Sequence, residues 1–372
     1  MDSICSDMKN ATKRSKSSTK KKSQKGTNFF AYLFLFKMDL TDIKTEKEAS
    51  NLTIGALFET LAPCSSQFIK TQCVTRNYEI LICGGYFKRD CYSYHTLKDQ
   101  YKYVCSYPSS VQLDGHCVIK CINNANDNAN ELILLSFGGQ SNGQKKHTLI
   151  MKYVSVWDND NVDNGNTSTN NDTVKHINEW VPLIDKDNNS IIIGINEEDY
   201  RGVRGIIGGN NNNLLFITYY PKNIEIFNLD TLQCIKKDVL PIVSGNWIRH
   251  HCFILIKDNT NKNNKMLLFC KNIGLSINYN EDNNTFQFDD LYVCSTIRLF
   301  NEYAYVYVND VILFFDGNSG SFIDVPKAVH KYSIAENKWM KFDYDLIISL
   351  KGCMGILSED RNYIYIFGGK NG

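Results

Sequence analysis

Glu79-Ile-Leu-Ile-Cys-Gly84-Gly85 is an apolar run of strand length that closes on two glycines. The same pattern returns as Glu131-Leu-Ile-Leu-Leu-Ser-Phe-Gly138-Gly139 and as Asn362-Tyr-Ile-Tyr-Ile-Phe-Gly368-Gly369. A degenerate copy, Asp310-Val-Ile-Leu-Phe-Phe-Asp316-Gly317, stands where another is due. Runs of this length, rich in Ile, Leu, Phe and Tyr and separated by Gly and Asn clusters, spell strands and turns rather than helices. A glycine pair at a strand end permits positive φ and close backbone approach where neighbouring sheets crowd.

Working outward, each copy is preceded by another short strand: Gln72-Cys73-Val, Gly115-His-Cys117-Val, His251-Cys252-Phe and Gly352-Cys353-Met. Each is followed by a longer strand carrying an aromatic residue, as in Cys91-Tyr-Ser-Tyr94 and Met151-Lys-Tyr153. The fullest copy of that part is Val329-His-Lys-Tyr332-Ser-Ile-Ala-Glu-Asn-Lys-Trp339. Tyr and Trp fill the wedge between neighbouring sheets with large apolar area and a polar tip. Two copies depart from the pattern: Phe216-Ile-Thr-Tyr-Tyr220 and Met266-Leu-Leu-Phe-Cys270 end without Gly-Gly.

Strand, strand ending in Gly-Gly, strand with Tyr, strand opening with Trp: this order resembles the kelch repeat over about residues 57–372. The resemblance implies an all-β, kelch-type β-propeller. At about 50 residues per copy, that length holds about six four-stranded blades, starting near Gln72, Gly115, Arg201, Arg249, Glu302 and Lys351. A four-stranded sheet cannot bury both faces alone, so the copies must stack. Residues 51–372 are assigned to the propeller and residues 1–50 to a disordered, basic, Ser-rich extension. Asn-rich stretches such as Asn123–Asn130 and Asp158–Asp172 are loops, because Asn, Asp and Gly tolerate turn conformations.

The last copy stops soon after Gly368-Gly369, so the final blade is expected to be incomplete. Leu57–Pro63 resembles an outer strand for it, while its third strand has no source in residues 51–372. A partner chain, or further chain of a longer kelch protein, is expected to fill the gap, since an unpaired edge invites strand exchange.

The 372 residues carry a net charge of +1, unevenly spread. Eight basic residues against two acidic ones fall in residues 1–25, leaving 33 basic and 38 acidic residues in the body. Such a body does not suit duplex nucleic acid. The run Phe29–Phe36 is too short to span a membrane. Thirteen cysteines without a CxxC pair read as reduced, buried thiols of a cytoplasmic protein, with a nuclear address available in the basic tail. Cys73, Cys117, Cys252 and Cys353 are expected at equivalent positions of the inner strands, buried and unpaired.

The seven histidines form no ligand constellation. His250 and His251 are adjacent, and neighbours on a strand face opposite ways, so no metal or cofactor is expected. Propellers of kelch type include a copper-radical oxidase, but nothing here organises copper, and no nucleophile elbow, dinucleotide fingerprint or P-loop appears. The expectation is a non-catalytic, protein-binding module; the resemblance implies adaptor, actin-linked or ubiquitin-ligase substrate-receptor roles. Arg201, Arg249 and Lys351 fall just before inner strands, on the face where kelch loops gather, and guanidinium forks suit a protein partner or acidic peptide. The opposing reading pairs each with a nearby acid such as Asp199 or Glu198. Arg76 and Arg361 fall on the other face and are set aside.

Overall fold

The computed structural model describes residues 36–39, 59–64, 68–121, 132–158, 177–256, 264–315, 317, 327–346 and 350–371. All of them belong to the unit Ala31–Gly372. Their regular elements are strands, arranged in six four-stranded antiparallel sheets. Five sheets are continuous runs of chain: I (residues 72–106), II (117–182), III (199–239), IV (252–290) and V (304–345). Inner strands begin at Gln72, Cys117, Asp199, Cys252, Ala304 and Leu350, close to the starts expected from the repeat.

Sheet VI corrects the sequence reading. It runs Leu350–Leu357, Tyr363–Asn371, Phe36–Asp39, Glu59–Thr60, with all four places filled by this chain. Phe36–Asp39 lies antiparallel to the C-terminal strand in the register Phe36↔Ile366, Lys37↔Tyr365, Met38↔Ile364 and Asp39↔Tyr363. Glu59–Thr60, within the segment expected to supply the outer strand, pairs with Lys37 and Phe36. The third strand comes from the stretch assigned to the extension, so the expected gap is absent. The reason for invoking a partner chain there goes with it. The rest of residues 1–50 lies outside the described residues.

Burial follows the sheet-on-sheet arrangement. One apolar cluster occupies each gap between neighbouring sheets. Val74, Leu81, Leu134 and Tyr153 join sheets I and II; Leu135, Phe137, Leu215 and Ile217 join II and III. Phe216, Ile226, Met266 and Leu268 join III and IV, and Phe269, Ile312, Phe314 and Tyr332 join IV and V. Val306, Leu313, Ile364 and Ile366 join V and VI. Ile80, Ile82, Tyr365 and Phe367 close the circle from VI to I.

The glycines and aromatics act at these gaps. A Cβ on Gly368 would lie 1.9 Å from the Phe68 carbonyl oxygen, where the chain leads into sheet I. On Gly84 it would meet Leu113 Cδ1 at 2.6 Å, and on Gly138 it would meet Val203 Cγ1 at 2.6 Å. All three, like Gly139 and Gly369, have positive φ; Gly85 does not. Tyr332 stands directly across from Trp339, their ring centroids 5.1 Å apart, with Phe269 of sheet IV against both.

The thiol frame needs a shift. Cys117 and Cys252 are equivalent, paired with Phe137 and Phe269 at the ends of their second strands. Their counterparts are Gln72, opposite Cys83, and Met354, opposite Phe367. Cys73 lies one residue later in its strand and Cys353 one earlier, so the four are not equivalent, although all four are buried.

Candidate functional site

A left-handed residue lies near the start of every inner strand, two residues before it in sheets I, II, IV and V and inside it in III and VI. Lys70, Gly115, Gly202, His250, Glu302 and Gly352 occupy equivalent places, with φ of 53°, 67°, 69°, 48°, 57° and 69°. Glycine fits this conformation freely; Lys, His and Glu hold it at a cost of about 1–2 kcal/mol each. Backbone bonds link several of the positions: His250 N–H donates to Gly202 O (2.9 Å), Gly202 N–H to Gly115 O (2.9 Å), Gly352 N–H to Glu302 O (3.1 Å) and Lys70 N–H to Gly352 O (2.7 Å).

The three side chains at these positions meet at the mouth of a small cavity among the inner strands. Lys70 Nζ lies 3.1 Å from both Glu302 Oε1 and Asp114 Oδ1, and His250 Nε2 lies 3.7 Å from Glu302 Oε1. A Cβ on Gly115 would lie 2.2 Å from His250 Cε1, so glycine there makes room for the imidazole. Burial, then the charges of Lys70 and Arg204, push the His250 pKa well below its ordinary value. The ring is neutral, and only about 10 Å³ remains open at the mouth.

One residue before each left-handed position stand Ile69, Asp114, Arg201, Arg249, Asn301 and Lys351. Arg201 and Arg249 converge on Asp199. Arg201 donates from Nε to Oδ1 (3.1 Å) and from Nη2 to Oδ2 (2.7 Å); Arg249 Nη2 also donates to Oδ2. Burial works to raise the Asp199 pKa, but the Arg201 hydrogen bonds and both guanidinium charges outweigh it and hold the carboxyl below its usual range. One carboxylate against two guanidiniums leaves a positive charge in excess. Arg249 lies over the Tyr220 ring (4.1 Å) and near Trp247 (5.6 Å), and Lys271 lies over Trp247 (4.4 Å). Lys351 occupies the corresponding place in sheet VI, opposite Lys370, and is not part of the Asp199 cluster.

The adjacent histidines separate: His250 faces the mouth, whereas His251 Nε2 lies 2.6 Å from Thr218 Oγ1 in the interior. Among the described residues no group of three or more His, Cys, Asp or Glu side chains is placed to hold a metal, and no helix is long and apolar enough to cross a membrane. Sequence reasoning missed Lys70, Glu302, Tyr220, Trp247 and Lys271. Lys70 and Glu302 were open to discovery by alignment with Gly115 and Gly352. Tyr220 stood in the sequence only as the end of a copy without Gly-Gly, and Trp247 comes from a loop that carries no repeat signal.

No protein-family model matches the chain, and no curated protein sequence matches it. Among solved structures it is similar to one described as "Structure of YjhT", a propeller protein, with a TM-score of 0.50 and 12% identity over 82% of this chain and 96% of that chain. The fold is a β-propeller. At that identity the likeness carries the propeller fold alone.

Proposed function

We propose that the chain is a six-bladed, kelch-type propeller acting as a non-catalytic, intracellular binding module for a protein partner or acidic peptide. The kelch assignment is supported by the glycines at second-strand ends, each making room for the next sheet, and by the Tyr332–Trp339 pair. The binding assignment is supported chiefly by one observation: Arg201 and Arg249 share the single carboxylate of Asp199. Their excess charge lies beside Trp247, Tyr220 and Lys271. Arg, Trp and Tyr supply a disproportionate part of interface energy, and an Arg fork recognises carboxylates bidentately.

Titration of full-length protein with fluorescein-labelled Glu-rich and Lys-rich peptides tests this. The acidic peptide is expected to bind more tightly, and Arg201→Ala combined with Lys271→Ala to weaken it about tenfold. Equal binding of both peptides, or no effect of the double variant, overturns the assignment.

A further inference from the structure

Two cavities open on the face that the sequence reading set aside. The larger, about 420 Å³, lies between the Asn77-Tyr78 turn of sheet I and the Ser358–Asn362 turn of sheet VI, at the seam where the ring closes. A second, about 180 Å³, shares Asn77 and Tyr78 and reaches Trp157 of sheet II. The larger falls within the 300–1,000 Å³ typical of ligand sites.

Its lining has a definite chemistry. Tyr78, Tyr363 and Tyr365 offer aromatic rings, Leu97 an apolar edge, and Glu359 and Asp360 carboxylates. Tyr78 and Leu97 are 56% and 71% exposed, so the rim is open to a ligand. No Lys, Arg or His lines it. The nearby cation Lys120 binds Glu359 Oε1 at 3.0 Å, which leaves one negative charge in excess. Arg361, in the same turn, makes its electrostatic contact with Tyr307 of sheet V.

The carboxylates are oriented yet retain acceptor capacity. Glu359 Oε2 accepts from Asn77 N–H at 2.7 Å. Asp360 Oδ1 accepts from the Ser358 hydroxyl (2.5 Å) and Asn362 N–H (3.2 Å), and its Oδ2 from Asn362 Nδ2 (3.1 Å). A carboxylate has about four acceptor sites, so each side chain can take a further donor. The same bonds, that from Ser358 foremost, lower the Asp360 pKa and keep it ionised at neutral pH.

An anion would meet two carboxylates against the single cation Lys120, and an apolar group would strand them. A guanidinium satisfies both halves of the lining, stacking on tyrosine and donating to carboxylate. From this cavity we infer a second binding site, for an arginine side chain presented by a partner protein, on the face opposite Arg201 and Arg249. The smaller cavity is less suited to a cation, because Lys98 and Lys102 already lie 5.1 and 4.6 Å over its Trp157 ring.

Calorimetric titration of the full-length Arg201→Ala/Lys271→Ala variant, in which the other face no longer favours glutamate, with acetyl-Gly-Arg-Gly-amide, acetyl-Gly-Glu-Gly-amide and n-propylguanidinium tests the inference. The arginine peptide is expected to bind about tenfold more tightly than the glutamate peptide, and more tightly than n-propylguanidinium, which carries the same single charge without the peptide flanks. Tyr78→Ser and Asp360→Asn, both changes at the rim, are expected to weaken it about threefold each. Wild-type protein is expected to bind the arginine peptide with the same affinity, which separates this site from the one on the other face. Thermal melting of each variant shows whether it is folded. No binding of the arginine peptide at about 1 mM, equal affinity for both peptides in this variant, insensitivity to both rim variants, or n-propylguanidinium binding as tightly as the peptide overturns the inference.

Discussion

Phe36 pairs across the sheet with Ile366, so a segment near the start of the chain becomes the third strand of the sheet that contains its C-terminal strand. The strand order of sheet VI therefore interleaves both ends of the described chain: beside the local hairpin of its first two strands, the pairing of Phe36–Asp39 with the C-terminal strand is non-local. Such closure ties the stability of the ring to four residues, because every other sheet is a local meander.

Lys37 sits in the middle of that short strand, paired with Tyr365 on one side and Glu59 on the other. Proline there removes a backbone donor and imposes its own φ, which costs about 3 kcal/mol in a central strand. Lys37→Pro is expected to lower the melting temperature by about 4–5 °C. A melting curve unchanged from wild type would mean that this strand contributes nothing to closure.

Gly368 and Gly143 share positive φ, 68° and 78°, but differ in surroundings. A Cβ on Gly143 meets nothing within 4 Å, whereas on Gly368 it would overlap the Phe68 carbonyl. Gly143→Ala is expected to cost only the backbone strain, about 1–2 kcal/mol. Gly368→Ala should cost at least about 3 kcal/mol, since the lead-in to sheet I must shift. Urea denaturation midpoints compare the two, and equal losses would remove the steric argument.

Local signals were the legible ones. Gly84, Gly138 and Gly368 announce themselves because a close approach at a strand end admits no side chain, and Tyr332 and Trp339 because a hairpin sets their spacing. Phe36–Asp39 was illegible for the opposite reason: its partner is the distant Tyr363–Ile366 segment, and a four-residue strand has too little periodicity to be seen alone. The cysteine frame slipped by one residue at Cys73 and Cys353 because a thiol suits several neighbouring buried places. The lead-in frame, set by the sign of φ, is visible in sequence only where glycine occupies it. At Lys70, His250 and Glu302 it is hidden behind ordinary side chains. Arg201 and Arg249 were singled out from their frame, while their convergence on Asp199 depends on two sheets meeting.

Thiol reactivity should follow burial rather than repeat position. Cys234 is exposed, while Cys73, Cys117, Cys252 and Cys353 are buried, and burial pushes the Cys117 thiol up to about 11. A small maleimide at neutral pH is expected to modify Cys234 in the native state and to reach the other four only through opening of the sheets, at least about a hundredfold more slowly. Mass spectrometry of digests reads each site, and labelling of all five at similar rates would contradict the described interior.

The last expectation concerns acid. His116 and His147 are buried with ring centroids 6.4 Å apart. His116 Nε2 bonds to Cys83 O at 3.0 Å, and His147 lies between Ser136 Oγ (2.9 Å) and Gln140 Nε2 (2.8 Å). Burial lowers both pKa values from 6.5 to about 3. Below pH 6.5 the unfolded chain therefore takes up protons that the folded chain refuses. The stability these histidines contribute is intact above 6.5 and is lost progressively as pH falls toward about 3. Each contributes a slope of about 1.4 kcal/mol per pH unit in that window. His116→Gln keeps a side-chain amide able to donate to Cys83 O and removes one titrating group. Its unfolding free energy, measured in urea from pH 6.5 down to pH 5, is expected to fall less steeply than that of the wild type by about that amount. Parallel slopes for the two proteins would show that His116 titrates alike in the folded and unfolded states, and so is not held neutral by burial.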